Sequence, residues 1–373
     1  MRIWRCGLVA FAASQATWCF VGEQAHAEAP MYEIIDLGSF LSRQPFPHDI
    51  NDAGQVVVSV RVRGFEDHPA IWEDGVFTEL PPLPGTNRGI ARAIADDGAV
   101  SGSCGPLGDP NDPLQAVIWR DGVPEAIGHL GGGLSEVLHM SRGGTVCGYS
   151  RTFQDGIVFG EIQGYIYKNG QMRAISPPPG TSSFLAQVCD DEGRTAWWGP
   201  SEKGVDVPYF WDEVGGVREM AHLGGIAGNM LDMNNQGQVV GWSGDGRLMA
   251  GALRQVQLPA VWERGGVTQL PLPETFTSGE ARSINEPGLI VGMAEDPATG
   301  RTSAVAWFDG EVVELVTRIP LDSGWSRLVI ANSCNNKGQI VGLGVFHGQE
   351  RAFLMTPIDA DEVASERREG EDR

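Results

Sequence analysis

Short apolar runs alternate with Gly- and Asn/Asp-rich turns along almost the whole chain. Seven times an apolar residue is followed by a short polar turn that ends in Gly, and another short apolar run comes next. These turn-ending residues are Gly54, Gly98, Gly144, Gly193, Gly237, Gly288 and Gly338, and they lie 44 to 51 residues apart. A repeat of about 40 to 50 residues that is built from short strands is typical of a β-propeller blade.

A second pattern lies between these turns, where an apolar run ends in an aromatic residue before an Asp-Gly, Asn-Gly or similar turn. Such dipeptides between apolar runs indicate β-hairpins, because both residues tolerate positive φ. Each repeat is therefore two hairpins, with strands a and b around the first turn and strands c and d around the second. We predict an all-β fold, a seven-bladed β-propeller with four antiparallel strands per blade. The strand-c position holds Trp72, Trp119, Tyr167, Trp211, Trp262, Trp307 and, in the seventh repeat, Leu354.

The two ends of the repeat array complement each other. Residues 32–37 read as a strand d without a preceding strand c, and residues 351–356 read as a strand c without a following strand d. We expect the two terminal strands to pair in the seventh blade, because this closes the ring and removes its open edges.

The N-terminus has the features of a secretory leader. Arg2 and Arg5 precede a mostly apolar run, and Ala25-His26-Ala27 offers a small-residue cleavage site. We predict a signal peptide over residues 1–27, the propeller over 28–358 and a disordered acidic tail over 359–373. An N-terminal membrane anchor is the alternative, although the apolar run is short for a span. No other stretch is apolar enough to cross a bilayer.

The charge of the chain limits its partners. Its 48 acidic and 27 basic side chains give a formal net charge of −21. A chain this acidic is not expected to bind the phosphate backbone of a nucleic acid. We predict a secreted or periplasmic monomer whose partner is an extracellular glycan or protein.

Four cysteines follow the leader. Cys189 and Cys334 occupy the apolar position of the first turn motif, which predicts small core residues. Cys104 and Cys147 lie near strand ends in neighbouring repeats, and a disulfide between them is the alternative to two free thiols in an oxidising compartment.

The repeat resembles the HAF-type extracellular repeat of secreted bacterial proteins. The best copy runs Met233-Asn-Asn-Gln-Gly-Gln-Val-Val-Gly241, with a Leu-Gly-Gly before it and Ala-Val-Trp after it. The resemblance covers about residues 32–357, and it departs where Val58 and Trp197 replace the strand-b Gly and Tyr167 replaces Trp. It implies secretion and a repeat array, but no activity and no site residues.

Propeller topology separates the short connections from the variable ones. The a–b and c–d turns share one face and are uniformly tight, whereas the b–c and d–a connections share the other face and vary in length. Ligand sites usually lie on variable loops that a rigid scaffold holds. We therefore expect the ligand at the b–c/d–a face and at the mouth of the central channel.

Strand a is expected to line the channel, which makes its polar residues ligand-binding candidates. Six residues before the turn-ending Gly lie His48, Arg92 and Arg282, together with Leu138, Gln187, Leu231 and Asn332; Asp49, His139 and Asp232 follow one position later. A hydrogen-bonded channel wall is the competing interpretation. Aromatic candidates for stacking against sugars are Trp198, Trp242 and Trp325, whereas Trp197 is expected in the core.

Signals of catalysis are weak. The chain has no nucleophile elbow, zinc-protease motif or phosphate loop, and we predict no catalytic residue, metal or cofactor. Asp109 and Asp112 offer oxygen ligands to Ca²⁺, but they lack the Gly and terminal Glu of a calcium loop. Tyr149, His139, Arg92 and Arg282 are the ingredients of a polysaccharide lyase or hydrolase, which is the first alternative. We predict a non-catalytic binding module; a structural surface protein is the second alternative.

Overall fold

The computed structural model describes residues 29–63, 66–105, 114–153, 160–248 and 255–358. They form seven four-stranded antiparallel sheets, which confirms the predicted seven-bladed β-propeller. One short 3₁₀-helix, Leu315–Arg318, follows the sixth blade. Within this described part of the chain, no helix has the length and apolar character needed to cross a membrane.

Each blade runs outward from the central channel in the order a, b, c, d. The strands of blades 1 to 7 are, in that order, Phe46–Ile50, Val56–Arg63, Glu66–Glu73 and Val76–Glu79; Arg88–Ile94, Val100–Gly105, Gln115–Arg120 and Val123–Ala126; Gly131–Met140, Val146–Thr152, Ile162–Lys168 and Gln171–Ala174; Val188–Cys189, Thr195–Pro200, Asp206–Asp212 and Gly216–Glu219; Gly228–Met233, Val239–Leu248, Gln255–Glu263 and Gly266–Gln269; Ser278–Ile284, Ile290–Asp296, Arg301–Phe308 and Glu311–Glu314; Trp325–Cys334, Ile340–Phe346, Gln349–Pro357 and Tyr32–Asp36.

The N-terminal strand closes the ring, as the sequence predicts. Strand Tyr32–Asp36 pairs antiparallel with Gln349–Pro357 and becomes the outermost strand of blade 7. The Tyr32 ring is fully buried in the core of that blade, against Phe353 and Met355. Closure therefore supplies apolar packing as well as a ladder of hydrogen bonds.

The aromatic position of strand c fills the space between blades. Trp119, Trp262 and Trp307 are almost fully buried, and each indole N–H donates to a backbone carbonyl of the preceding d–a connection at 2.6 to 2.8 Å. This hydrogen bond satisfies the one polar atom of a large apolar ring. These tryptophans are therefore structural.

The seventh copy of this position was assigned incorrectly to Leu354. Met355 pairs with Ile340, as Trp262 pairs with Val239 in blade 5, so Met355 holds the position and Leu354 points to the neighbouring core cluster. The aromatic residue that marks the register in other blades is missing here, and a flexible Met fills the same volume.

A β-bulge recurs at one place in strand a. In six blades the pairing register between strands a and b shifts at the sixth residue before the turn-ending Gly. The strand-b Gly lies beside the bulge, where a Cβ atom would come within 2.0 Å of a strand-a carbonyl oxygen in five blades. In these five blades Gly leaves room for the close approach, whereas blade 1 has the same bulge beside Val58. Blade 4 has Trp197 instead of Gly, and its strand a is only two residues long.

The cysteines do not form the disulfide considered from sequence. Cys104, Cys147, Cys189 and Cys334 are all free and buried. Cys104 and Cys147 belong to different core clusters, whereas Cys147 packs with Cys189. The predicted core positions of Cys189 and Cys334 are confirmed. The predicted leader, the acidic tail and the calcium candidates Asp109 and Asp112 lie outside the described residues.

Candidate functional site

The central channel holds a cavity of about 240 Å³ that strands a surround. All six bulged residues line it, and Gln187, the equivalent residue of the unbulged blade 4, does not. Bulges commonly re-aim a side chain next to a binding site. We call this set the bulge ring; it comprises His48, Arg92, Leu138, Leu231, Arg282 and Asn332.

Positive charge dominates the bulge ring. His48 Nε2 lies 2.6 Å from Ser59 Oγ, and burial together with the nearby Arg92 and Arg282 lowers the pKa of His48 to about 3. The imidazole is therefore neutral at ordinary pH. Arg282 pairs with Glu280, whereas Arg92 forms no hydrogen bond or ion pair with any described residue.

Two polar atoms of the bulge ring lack partners. Asn332 donates to Pro47 O at 2.8 Å, but its Oδ1 is buried without a hydrogen bond. The Nε of Arg282 is likewise buried and unpaired. Most buried polar atoms in proteins are satisfied, so one free acceptor and one free donor in the same ring mark a place where a ligand or water can bind.

The next residue along strand a ties neighbouring blades together. Asp49 Oδ2 accepts the Ile94 N–H of the following blade at 2.9 Å, and Asp232 Oδ2 does the same with Ile284. We call this set the middle ring; it comprises Asp49, Ala93, His139, Val188, Asp232, Ser283 and Ser333. Its polar members are hydrogen-bonded parts of the channel wall, which was the competing interpretation from sequence.

His139 occupies the middle ring in blade 3. Its Nε2 lies 2.9 Å from Asp232 Oδ1 across the channel, and its Nδ1 lies 3.3 Å from the Cys189 backbone N. Burial opposes a charge on the ring, while the hydrogen bonds to Asp232 and Cys189 favour it and raise the pKa of His139 above its ordinary value. Both nitrogens are therefore engaged, and His139 is a poor candidate for a free channel base.

A residue of the cavity wall that the sequence analysis missed is Arg142. Its guanidinium crosses from blade 3 and donates to the carbonyls of Ile50 and Cys334, in blades 1 and 7. Burial opposes its charge, but Asp49 and Asp232 raise its pKa, so it remains a cation. A signal was present, because Arg142 is the only basic residue at a position that is otherwise acidic or an amide.

The residues at the Arg142 position form a closed circle at the a–b turns. Around it, a turn N–H of each blade donates to an oxygen of the next, for example Asn235 N to Glu286 Oε1 and Asn336 N to Asp52 Oδ1, at 2.6 to 3.0 Å. We call this set the turn ring; it comprises Asp52, Asp96, Arg142, Asp191, Asn235, Glu286 and Asn336.

The tryptophan candidates do not form a stacking surface. Trp198 and Trp325 are only 8% and 6% exposed, which corrects the expectation that they are accessible. Trp198 packs edge-on against Trp262, and Trp325 packs against Phe346 and Phe353. Both fill blade interiors because their strands bring them to inward-facing positions. Trp242 is half-buried in strand b of blade 5 and does not line the cavity, whereas the predicted core position of Trp197 is confirmed.

The ingredients of a lyase are not assembled. Tyr149 donates to Glu136 Oε1 at 2.6 Å, and burial together with this carboxylate raises the pKa of the phenol. A phenolate base would need the opposite shift. Tyr149 does not line the cavity, so the four residues proposed for this chemistry do not converge on one ligand position.

Comparison with known proteins identifies the fold. No family model and no curated protein matches the chain. Among solved structures, the propeller domain of the trilobed protease from Pyrococcus furiosus, described as having an open velcro topology, has a TM-score of 0.51 and 10% identity over 86% of this chain and 97% of that one. A puromycin hydrolase has a TM-score of 0.54 and 14% identity over 86% of this chain and 54% of its own. The acylaminoacyl peptidase from Pyrococcus horikoshii has a TM-score of 0.50 and 12% identity over 89% of this chain and 55% of its own. This chain thus spans about half the length of the two hydrolases, and the likeness shows the β-propeller fold alone.

Proposed function

We propose that this protein is an extracellular, non-catalytic binding protein that takes an anionic group of a glycan or polypeptide into its central channel. The ligand enters from the b–c/d–a face and meets the bulge ring. The leader-like N-terminus and the resemblance to the HAF-type repeat support a location outside the cytoplasm.

The observation that carries the proposal is the free cation at the bulge ring. Arg92 is exposed in the channel and has no acidic partner among the described residues, although the chain has a large excess of acidic groups. Asn332 Oδ1 and Arg282 Nε add an unpaired acceptor and donor. A carboxylate beside Arg92 would form a charge-assisted hydrogen bond in a partly desolvated site.

Binding of the purified chain to acidic and neutral polymers tests the proposal. Polygalacturonate, alginate, poly-glutamate, dextran and poly-lysine can be compared by calorimetry, with product analysis for new reducing or unsaturated ends. We expect binding to at least one acidic polymer, no new ends, and at least a tenfold loss of affinity in Arg92→Ala.

Arg120→Ala is the matched control, because Arg120 lies in the same blade on the outer surface and pairs only with Asp97 at 3.6 Å. Its affinity should equal that of the unmodified protein. Equal binding by Arg92→Ala, or binding to none of the acidic polymers, would contradict the proposal. New chain ends would favour the lyase or hydrolase alternative.

A further inference from the structure

Three metal-binding side chains meet at the junction of blades 3 and 4. They are His139 on strand a of blade 3, Cys147 on strand b of blade 3 and Cys189 on strand a of blade 4. The His139 ring nitrogen and the two sulfur atoms all lie within 4.8 Å of one another. Both thiols are fully buried, while the His139 side chain is 14% exposed at the wall of the channel cavity.

The far side of the imidazole is held as in a metal-binding histidine. His139 Nε2 faces Asp232 Oδ1 at 2.9 Å, while Nδ1 lies 3.8 Å from Cys189 Sγ and accepts the Cys189 backbone N–H at 3.3 Å, a contact that a bound metal ion would replace. Asp232 is itself fixed by the N–H groups of Met233 and Ile284 and by Ser283 Oγ. Histidines that bind metal ions almost always donate their other ring N–H to a carboxylate, a backbone carbonyl or a water, which sets the tautomer and the ring orientation.

This arrangement departs from the repeat at His139 and Cys147, whereas Cys189 has a counterpart in Cys334. The equivalent triplets at the other six blade junctions are Asp49, Val57 and Ile94; Ala93, Ser101 and Met140; Val188, Ala196 and Met233; Asp232, Val240 and Ile284; Ser283, Val291 and Cys334; Ser333, Val341 and Ile50. None of them combines a histidine with two thiols. Packing between blades therefore does not require a histidine together with two thiols, since apolar, serine and aspartate side chains fill these positions at most other junctions.

We propose that His139, Cys147 and Cys189 bind a thiophilic divalent metal ion, Zn²⁺ in the native protein. Two thiolates and a neutral imidazole carry a charge of −2, which a divalent ion neutralises inside the core. Binding releases one proton from each thiol to solvent, and any proton on Nδ1 as well. The cavity beside His139 gives the ion a path inward. This inference does not depend on the channel ligand.

Titration of the full chain with Co²⁺, a spectroscopic stand-in for Zn²⁺, tests the site under reducing conditions. One equivalent should bind and produce the thiolate-to-cobalt charge-transfer absorption, and Zn²⁺ should displace it. Cys147→Ser and Cys189→Ser should abolish this absorption. Asp232→Asn, a positioning change, should weaken metal binding by about 10- to 100-fold while keeping the absorption at saturation.

Cys334→Ser is the matched control, because Cys334 holds in blade 7 the position that Cys189 holds in blade 4. Its backbone N lies 3.3 Å from Ser283 Oγ, just as Cys189 N lies 3.3 Å from His139 Nδ1. Both substitutions remove a fully buried thiol and should lower the unfolding temperature similarly. Only Cys334→Ser should keep the cobalt absorption and the rise in unfolding temperature that Zn²⁺ causes.

Several outcomes would overturn the proposal. They are the absence of cobalt absorption in the reduced protein, its loss in Cys334→Ser, or its persistence in Cys189→Ser. Isolation of the protein with a Cys147–Cys189 disulfide and no metal would show that the two thiols serve as a covalent link instead. Binding of Cu⁺ with no binding of Zn²⁺ would contradict the choice of ion.

Discussion

The bulge ring and the turn ring are both rich in polar residues, share the a–b hairpins of six blades and lie only four residues apart in sequence, yet they differ in how their polar atoms are satisfied. In the turn ring, hydrogen bonds run from each blade to the next around the whole circle. In the bulge ring, Arg92 has no hydrogen-bond or ion-pair partner among the residues that the structure describes, and one atom each of Arg282 and Asn332 is unpaired. Polarity alone therefore does not distinguish the two rings; unmet hydrogen-bonding capacity beside a cavity does.

The largest expected effect comes from removing the strand that closes the propeller. Deletion of residues 32–37 removes the outer strand of blade 7 and the buried Tyr32. The exposed edge of Gln349–Pro357 should then lead to unfolding or aggregation. Size-exclusion chromatography and thermal unfolding measure this, and a soluble deletion variant that melts cooperatively would contradict the role of closure.

A methyl group beside the bulge should destabilise the protein nearly as much. In Gly292→Ala the new Cβ would lie 2.0 Å from the Glu280 carbonyl oxygen, so the bulge that carries Arg282 must shift. We expect a loss of about 3 kcal/mol in the free energy of unfolding. Gly266→Ala is the control, since its Cβ would meet nothing closer than 3.6 Å. Equal stabilities of the two variants in urea unfolding would argue against the close approach.

Removing one turn residue should weaken the joints between blades. The buried Asn335 donates to Asn51 O at 2.9 Å and accepts the N–H groups of Lys337 and Gln339. Asn335→Ala should therefore lower the free energy of unfolding by about 2 kcal/mol. Lys337→Ala changes an exposed residue of the same turn and should leave stability within about 0.5 kcal/mol. A similar result for both would mean that the turns do not link the blades.

The smallest effect is a pH dependence from the bulge ring. The pKa of His48 is about 3 in the folded chain, whereas the unfolded chain has the ordinary histidine value of 6.5. Between these two pH values, only the unfolded state binds a proton at His48. The free energy of unfolding should therefore fall as the pH drops from about 6.5 to about 3. His48→Gln should make this fall shallower in acid-dependent unfolding curves, and identical slopes would contradict the assignment.

The sequence was sufficient for the architecture because each blade repeats two turn signals whose backbone requirements are local. It failed at Leu354 because blade 7 lacks the aromatic residue that fixes the register. It also placed Trp198 and Trp325 at the surface, since the depth of a side chain near a strand end depends on the neighbouring blade. The candidates His48, Arg92 and Arg282 do line one cavity, because each lies at the bulge of its own strand a.

Other features of the site arise only from contacts between distant repeats. The bulge is invisible in the sequence, as its residue is basic, apolar or an amide in different blades. The approach of Cys147 to Cys189, rather than to Cys104, depends on how blade 3 packs on blade 4. Arg142 stands out only once the repeats are aligned position by position.

The most direct test of the division between the bulge ring and the a–b turns measures affinity and unfolding temperature together for Arg92→Ala and Asn335→Ala, since Asn335 holds the turn that carries Asn336 of the turn ring. An acidic polymer that binds the unmodified protein serves as the ligand, at a temperature where both variants are folded. We expect Arg92→Ala to lose at least tenfold in affinity with its unfolding temperature unchanged, and Asn335→Ala to unfold at a lower temperature with its affinity retained. Retained affinity in Arg92→Ala, or loss of affinity in both variants, would contradict the assignment of ligand binding to the bulge ring.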